Sequence, residues 1–116
     1  MTRNVEQNLQ YCSMILSATD AARKLAEARK LFLVLFENDA MLAEIYKPVK
    51  LDLQQPHDLD EVYVVIGGSG KFVLEGEVSE VKPGDMIFVA AGQRHKFQDF
   101  TDDFSTWVIF LKNKKS

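Results

Sequence analysis

Two periods of hydrophobicity divide the chain at Lys30. From Ala21 to Lys30 the sequence AARKLAEARK contains only strong helix formers, with no Gly, Pro or β-branched residue, and Ser17-Ala-Thr-Asp20 supplies capping side chains before it. A helix over about Thr19–Lys30 follows, with an apolar stripe of Ala18, Ala22, Leu25 and Ala26. So thin a stripe suits a helix lying outside a larger body.

Beyond Lys30 the apolar residues fall in short extended runs rich in β-branched and aromatic side chains. Leu31–Glu37, Met41–Tyr46, Glu61–Ile66, Lys71–Leu74, Asp85–Val89, Lys96–Gln98 and Ser105–Leu111 read as strands, punctuated by Asn38-Asp39, Gly67-Gly-Ser-Gly70, Pro83-Gly84-Asp85 and Thr101-Asp-Asp103. Strands this frequent with no intervening helix predict an antiparallel sandwich or barrel. Several are apolar on both faces. In EVYVVI, Val62, Val64 and Ile66 oppose Tyr63 and Val65, so one face fills a core and the other meets a second layer or another subunit.

At 116 residues the chain has the length of a single domain. Its organisation reads as an arm and helix over 1–30, a barrel over 31–111 and an exposed tail over 112–116. Apolar residues at 47% and charged residues at 27% indicate an ordinary folded protein rather than a disordered or membrane one. With 14 basic against 17 acidic residues, and Lys/Arg clustered only in the terminal Lys112-Asn-Lys-Lys, there is no footprint for nucleic acid. The single Cys12 cannot pair within the chain, and no secretory segment opens it, so the cytoplasm is the expected location. Gly67-Gly-Ser-Gly70-Lys71 is not a phosphate loop, because strands follow it; it reads as a hairpin turn.

The chemistry concentrates between Gln55 and Asp99, which hold both histidines of the chain. Gln55 and His57 share a face in an extended segment, with Glu61 four residues on, whereas His95 comes from a distant strand. Two imidazoles and a carboxylate converging in a barrel mouth suit Fe, Mn, Ni or Zn.

These residues carry a family resemblance. Gln55, His57, Glu61 and Gly68 resemble the first cupin motif, Gly-x5-His-x-His-x3-4-Glu-x6-Gly; Gly84, Gly92 and His95 resemble the second, Gly-x5-Pro-x-Gly-x2-His-x3-Asn. Val49 stands at the opening glycine, Gln55 at the first histidine, Ala90 at the proline and Asp99 at the asparagine. Fifteen residues separate Gly68 from Gly84, a spacing similar to that of small cupins.

The resemblance implies an all-β fold, a double-stranded β-helix of jelly-roll type, with the one N-terminal helix outside it and a homodimeric assembly. It implies a divalent metal held by Gln55, His57, Glu61 and His95, Gln55 being either a direct ligand or a group that orients one. The expected activity is a metal-dependent enzyme of oxygenase or isomerase type acting on a small molecule, with Glu61 as ligand or general base. A non-catalytic module binding a sugar or small metabolite is the alternative, and a metal-free isomerase or epimerase using His57 as base is a third. Neither a membrane nor nucleic acid is an expected partner. Tyr46, Tyr63, Phe97, Trp107 and Ile109 are candidate pocket or core residues, and Arg94 a candidate contact for an anion or a plain surface residue.

Overall fold

The computed structural model describes residues 13–52 and 56–112. The arm expected over Met1–Gln10, Gln55, and the tail beyond Lys112 lie outside the described residues.

Helix α1 spans Ala18–Ala28. Ser17 Oγ accepts the Asp20 N–H at its start, and Arg29, in the left-handed conformation, closes it by donating its N–H to the Ala26 carbonyl. The buried stripe is Ala21 and Leu25 rather than the broader set the spacing suggested, Ala22 and Ala26 being exposed. With so small a contact the helix can only cover a sheet made by other residues.

That sheet contains β1 (Phe32–Glu37), β2 (Met41–Tyr46), β3 (Asp60–Gly67), β6 (Met86–Val89) and β8 (Ser105–Leu111) in the antiparallel order β1-β2-β8-β3-β6. A second sheet has the order β5-β4-β7, from β4 (Gly70–Leu74), β5 (Glu77–Val81) and β7 (His95–Gln98). The expected strands are all present. Strand β5 was not legible, because Glu77, Val78, Ser79 and Glu80 are exposed at a sheet edge and only Val81 is buried, so no apolar alternation marks it.

Two sheets pack as the jelly-roll the motifs implied. Alternation along β3 and β8 sends Tyr63, Val65 and Val108 inward to meet Phe72, Val81, Val89, Phe97 and Phe104, which form one continuous core. The opposite face carries Ile45 and Trp107, packed beneath Ala21 and Leu25 of α1. A bulge between Val34 and Phe36 reverses the parity of β1, so that Phe32 and Val34 share the inner face with their partners Tyr46 and Glu44.

The Gly67–Gly70 turn is not a hairpin. β3 and β4 belong to different sheets, and Gly68 carries the chain from one to the other at φ 72°. A crossing of this kind is what brings a β3 side chain and a β7 side chain face to face across the interior.

Candidate metal centre

Glu61 anchors the site. It follows Asp60 at the start of β3, and its inward parity, shared with Tyr63 and Val65, leaves it 1% exposed. Neither of its carboxylate oxygens has a hydrogen-bond partner. A buried carboxylate in that condition demands compensation from a proton or a cation.

His95 opens β7 in the facing sheet. Its Nδ1 lies 2.9 Å from the Gln93 carbonyl, which can only accept, so Nδ1 carries a hydrogen. Nε2 is thereby left to face Glu61 Oε1 at 2.7 Å and the Tyr63 hydroxyl at 3.1 Å. The Glu61 approach has the length of an ion pair. Burial lowers the His95 pKa, but the adjacent Glu61 carboxylate, the Gln93 carbonyl and the charge of Asp52 outweigh it and raise the imidazole above its ordinary 6.5.

His57 approaches from the loop before β3. Its carbonyl accepts the Gly92 N–H at 2.8 Å, and nearby Asp60 Oδ1 accepts the Ala91 N–H at 2.8 Å, so the β6–β7 turn that delivers His95 also fixes His57. The His57 ring stands edge-on to Phe110, with centroids 5.1 Å apart. Its Nε2 is buried, lacks a hydrogen-bond partner and sits 3.9 Å from Glu61 Oε1.

The structure thus brings together three of the four residues singled out from sequence. One ligating atom from each of His57, Glu61 and His95 lies within 4.8 Å of the others. An imidazolium at His95 answers one of these electron-rich atoms; a divalent cation at their centre answers all of them, so the donor set fits the implied metal.

Glu44 was missed. On β2 it pairs with Val108 and shares the inner face with Tyr46, so strand parity in MLAEIY was the available signal. Together with Phe32, Tyr46, His57, Val108 and Phe110 it lines a cavity of about 330 Å³. Burial, and secondarily the charge of Glu61, push its carboxyl up to about 7. Asp52 was missed as well: it accepts the Tyr46 hydroxyl at 2.6 Å through one oxygen and the Phe97 N–H at 2.7 Å through the other. That bond and burial raise the Tyr46 phenol, burial contributing most.

Of the other candidates, Tyr63 and Phe97 are core, Trp107 lies under α1, and Ile109 has the outward parity of its partner Val62. Tyr46 alone of these lines the cavity. Arg94 is exposed and paired with Glu75 at 3.8 Å.

A family profile described as the cupin domain matches residues 45–109, over half the chain and both motif regions. This chain belongs to the cupin family. An uncharacterised protein of Streptomyces coelicolor is 37% identical to this cupin over 59 residues, 51% of the chain and 56% of the relative. The HTH-type transcriptional activator RhaS of Mannheimia succiniciproducens is 26% identical over 73 residues, 63% of the chain and 27% of the relative. The cupin therefore spans a little over half the length of the first of these relatives and about a quarter of the second.

Among solved structures, a Bacillus halodurans protein superposes with a TM-score of 0.72 at 16% identity, covering 91% of this chain and 86% of that one. The DMSP lyase DddQ of Ruegeria pomeroyi gives 0.61 at 22% identity, covering 78% and 52%. KdgF of a Halomonas species gives 0.63 at 17% identity, covering 72% and 79%. Likeness at this level is likeness of fold. Among the described residues, no helix is long and apolar enough to cross a membrane.

Proposed function

We propose that His57, Glu61 and His95 hold a divalent Fe, Mn, Ni or Zn ion and that this cupin is a metal-dependent enzyme acting on a small molecule, by oxygenase or isomerase chemistry. The observation that carries the reading is the convergence of buried, unsatisfied His57 Nε2 and Glu61 oxygens on His95 Nε2. A metal bound there supplies Lewis acidity, polarising an oxygen of the ligand. The chain's own groups do the rest. Phe32, Val108 and Phe110 exclude water from the cavity, and Gln93 and Tyr63 fix the ring of His95. Glu44, with a carboxyl near neutrality, is suited to take or return a proton on the cavity side.

Metal analysis of protein purified without chelator, followed by reconstitution with each of the four ions, tests this reading. About one ion per chain is expected, falling below about a tenth of that in His57→Ala and His95→Ala; no stoichiometric uptake by the folded protein rejects it.

A binding module without catalysis is the second reading, supported by the match to part of a transcriptional activator. Saturable stabilisation by a ligand that the metal-loaded protein never converts favours it over the enzyme. The reading also includes a homodimer in the cytoplasm, supported by the exposed Met86 and Phe88 on edge strand β6 and by the single Cys12.

A further inference from the structure

A second concavity, of about 790 Å³, opens beside the cavity of Glu44 and His57, and Phe32 and Tyr46 belong to the walls of both. The floor and the rim of this groove differ in chemistry. Leu31, Phe32, Val49 and Leu51 present large apolar side chains between 48% and 69% exposed. Arg29, Lys30 and Lys50 stand around them, and no carboxylate belongs to the described lining.

Among the described residues, these three cations share with Lys24, Lys47 and Lys96 the lack of a carboxylate within ion-pair distance, and they alone of the six line one groove together. Arg23, Lys71, Lys82, Arg94 and Lys112 each face a carboxylate within ion-pair distance. Among the described residues, Arg29, Lys30 and Lys50 face none. In a chain of net charge -3, three adjacent cations without a carboxylate partner among the described residues, set around an apolar floor, make a local field of the opposite sign. Lys50 is presented by a strained device: it sits at φ 63° in the centre of a three-residue turn closed by Leu51 N–H to the Val49 carbonyl at 2.6 Å. The inner cavity has the opposite character, holding Glu44 and bordering Glu61 through His57.

We infer that the groove binds the outer part of a small amphipathic organic anion, a carboxylate on an aliphatic or aromatic body, whose uncharged end passes Phe32 and Tyr46 to reach His57. The opposed charges orient it. The carboxylate is drawn to Arg29, Lys30 and Lys50 and away from a cavity whose described lining holds Glu44 and no cationic side chain of Lys or Arg, while the apolar body covers Leu31, Val49 and Leu51. This assignment deepens the metal-enzyme reading and rests on it only for what happens at the inner end.

Calorimetric titration of the full chain with octanoate, octan-1-ol and octyltrimethylammonium tests it, together with metal content and sedimentation. Saturable octanoate binding is expected, with the alcohol at least about tenfold weaker and the cation weaker still. The double variant Lys30→Glu/Lys50→Glu is expected to lose about tenfold or more in octanoate affinity, and Leu51→Asp to weaken it too, with circular dichroism and metal uptake unchanged. Both variants alter exposed positions, so folding is not at stake. Equal binding of the three probes, indifference of octanoate to the charge reversal, or a groove closed by a second copy in sedimentation would each overturn the inference. Failed metal uptake with octanoate binding intact counts against the metal reading alone; intact uptake with no octanoate binding counts against the groove alone.

Discussion

His95 Nε2 lies 2.7 Å from Glu61 Oε1, both side chains being 1% exposed, and the two come from opposite sheets. In the metal-free protein this juxtaposition holds a proton on His95. Its folded pKa is raised above 6.5, so the stabilisation it gives is fully present below pH 6.5 and is lost as pH rises through the folded value. Replacing Glu61 with Gln removes the main group that raises it. NMR titration of the His95 ring should then show a pKa lower than wild type, and the alkaline loss of stability should flatten. An unchanged His95 titration in Glu61→Gln would show that the pair is not coupled.

Glu44 adds a second loss of stability with rising pH. Its carboxyl is raised from 4.5 to about 7, so between these values the folded state binds the extra proton and stability falls as pH rises, the contribution being complete below 4.5 and gone above about 7. Glu44→Gln mimics the neutral form. Metal-free Glu44→Gln should match wild type at the acid end and exceed it at pH 8 by on the order of 1–2 kcal/mol, the partly exposed carboxyl being screened by solvent. Urea unfolding across that range measures the difference. A divalent ion near Glu61 lowers the cost of ionising Glu44, so loading should shrink the advantage.

How far the sequence announced this arrangement depends on which signal each residue carried. His57, Glu61 and His95 were legible because both histidines of the chain fall at motif positions, and the fold follows from strands in which apolar side chains alternate. For Glu44 strand parity gave only the face it shares with Tyr46, and its place beside the site, like that of Asp52, depends on pairings set by the whole barrel: Glu44 opposite Val108, Asp52 against the Phe97 N–H. Strand β5 escaped for a different reason, having a single buried residue to reveal its period. The Gly67–Gly70 turn looked like a hairpin because glycine marks the backbone conformation of a turn and is silent about which strands it joins.

Asp52 is a tie between layers. It joins Tyr46 of the five-stranded sheet to the Phe97 N–H of the three-stranded one from a position 8% exposed. Asp52→Ala leaves a half-buried hydroxyl and a buried amide without this acceptor, and a loss of about 2–4 kcal/mol is expected from thermal or urea unfolding. Tyr46→Phe removes only one of the two bonds and should cost about 1 kcal/mol. If the two variants cost the same, the Phe97 bond contributes nothing.

Gly68 decides whether the chain can cross between the sheets. At φ 72° a side chain is already strained, and a Cβ there would lie 2.4 Å from Thr101 Oγ1 and 2.7 Å from the Phe104 backbone nitrogen. The neighbours cannot retreat cheaply, since Thr101 N–H donates to the Ser69 carbonyl at 2.9 Å and Phe104 is fully buried in the core. Gly76 makes the matched control: its φ is 87°, yet nothing lies within 4 Å of its Cβ position. Gly76→Ala should therefore cost only the conformational penalty, about 1–2 kcal/mol. Gly68→Ala adds steric overlap with backbone and is expected to cost about 3 kcal/mol or more. Because the same crossing sets β3 against β7, the lesion should also reach the site: folded Gly68→Ala is expected to take up metal more weakly than Gly76→Ala, and equal uptake by the two would separate the crossing from the alignment of Glu61 with His95.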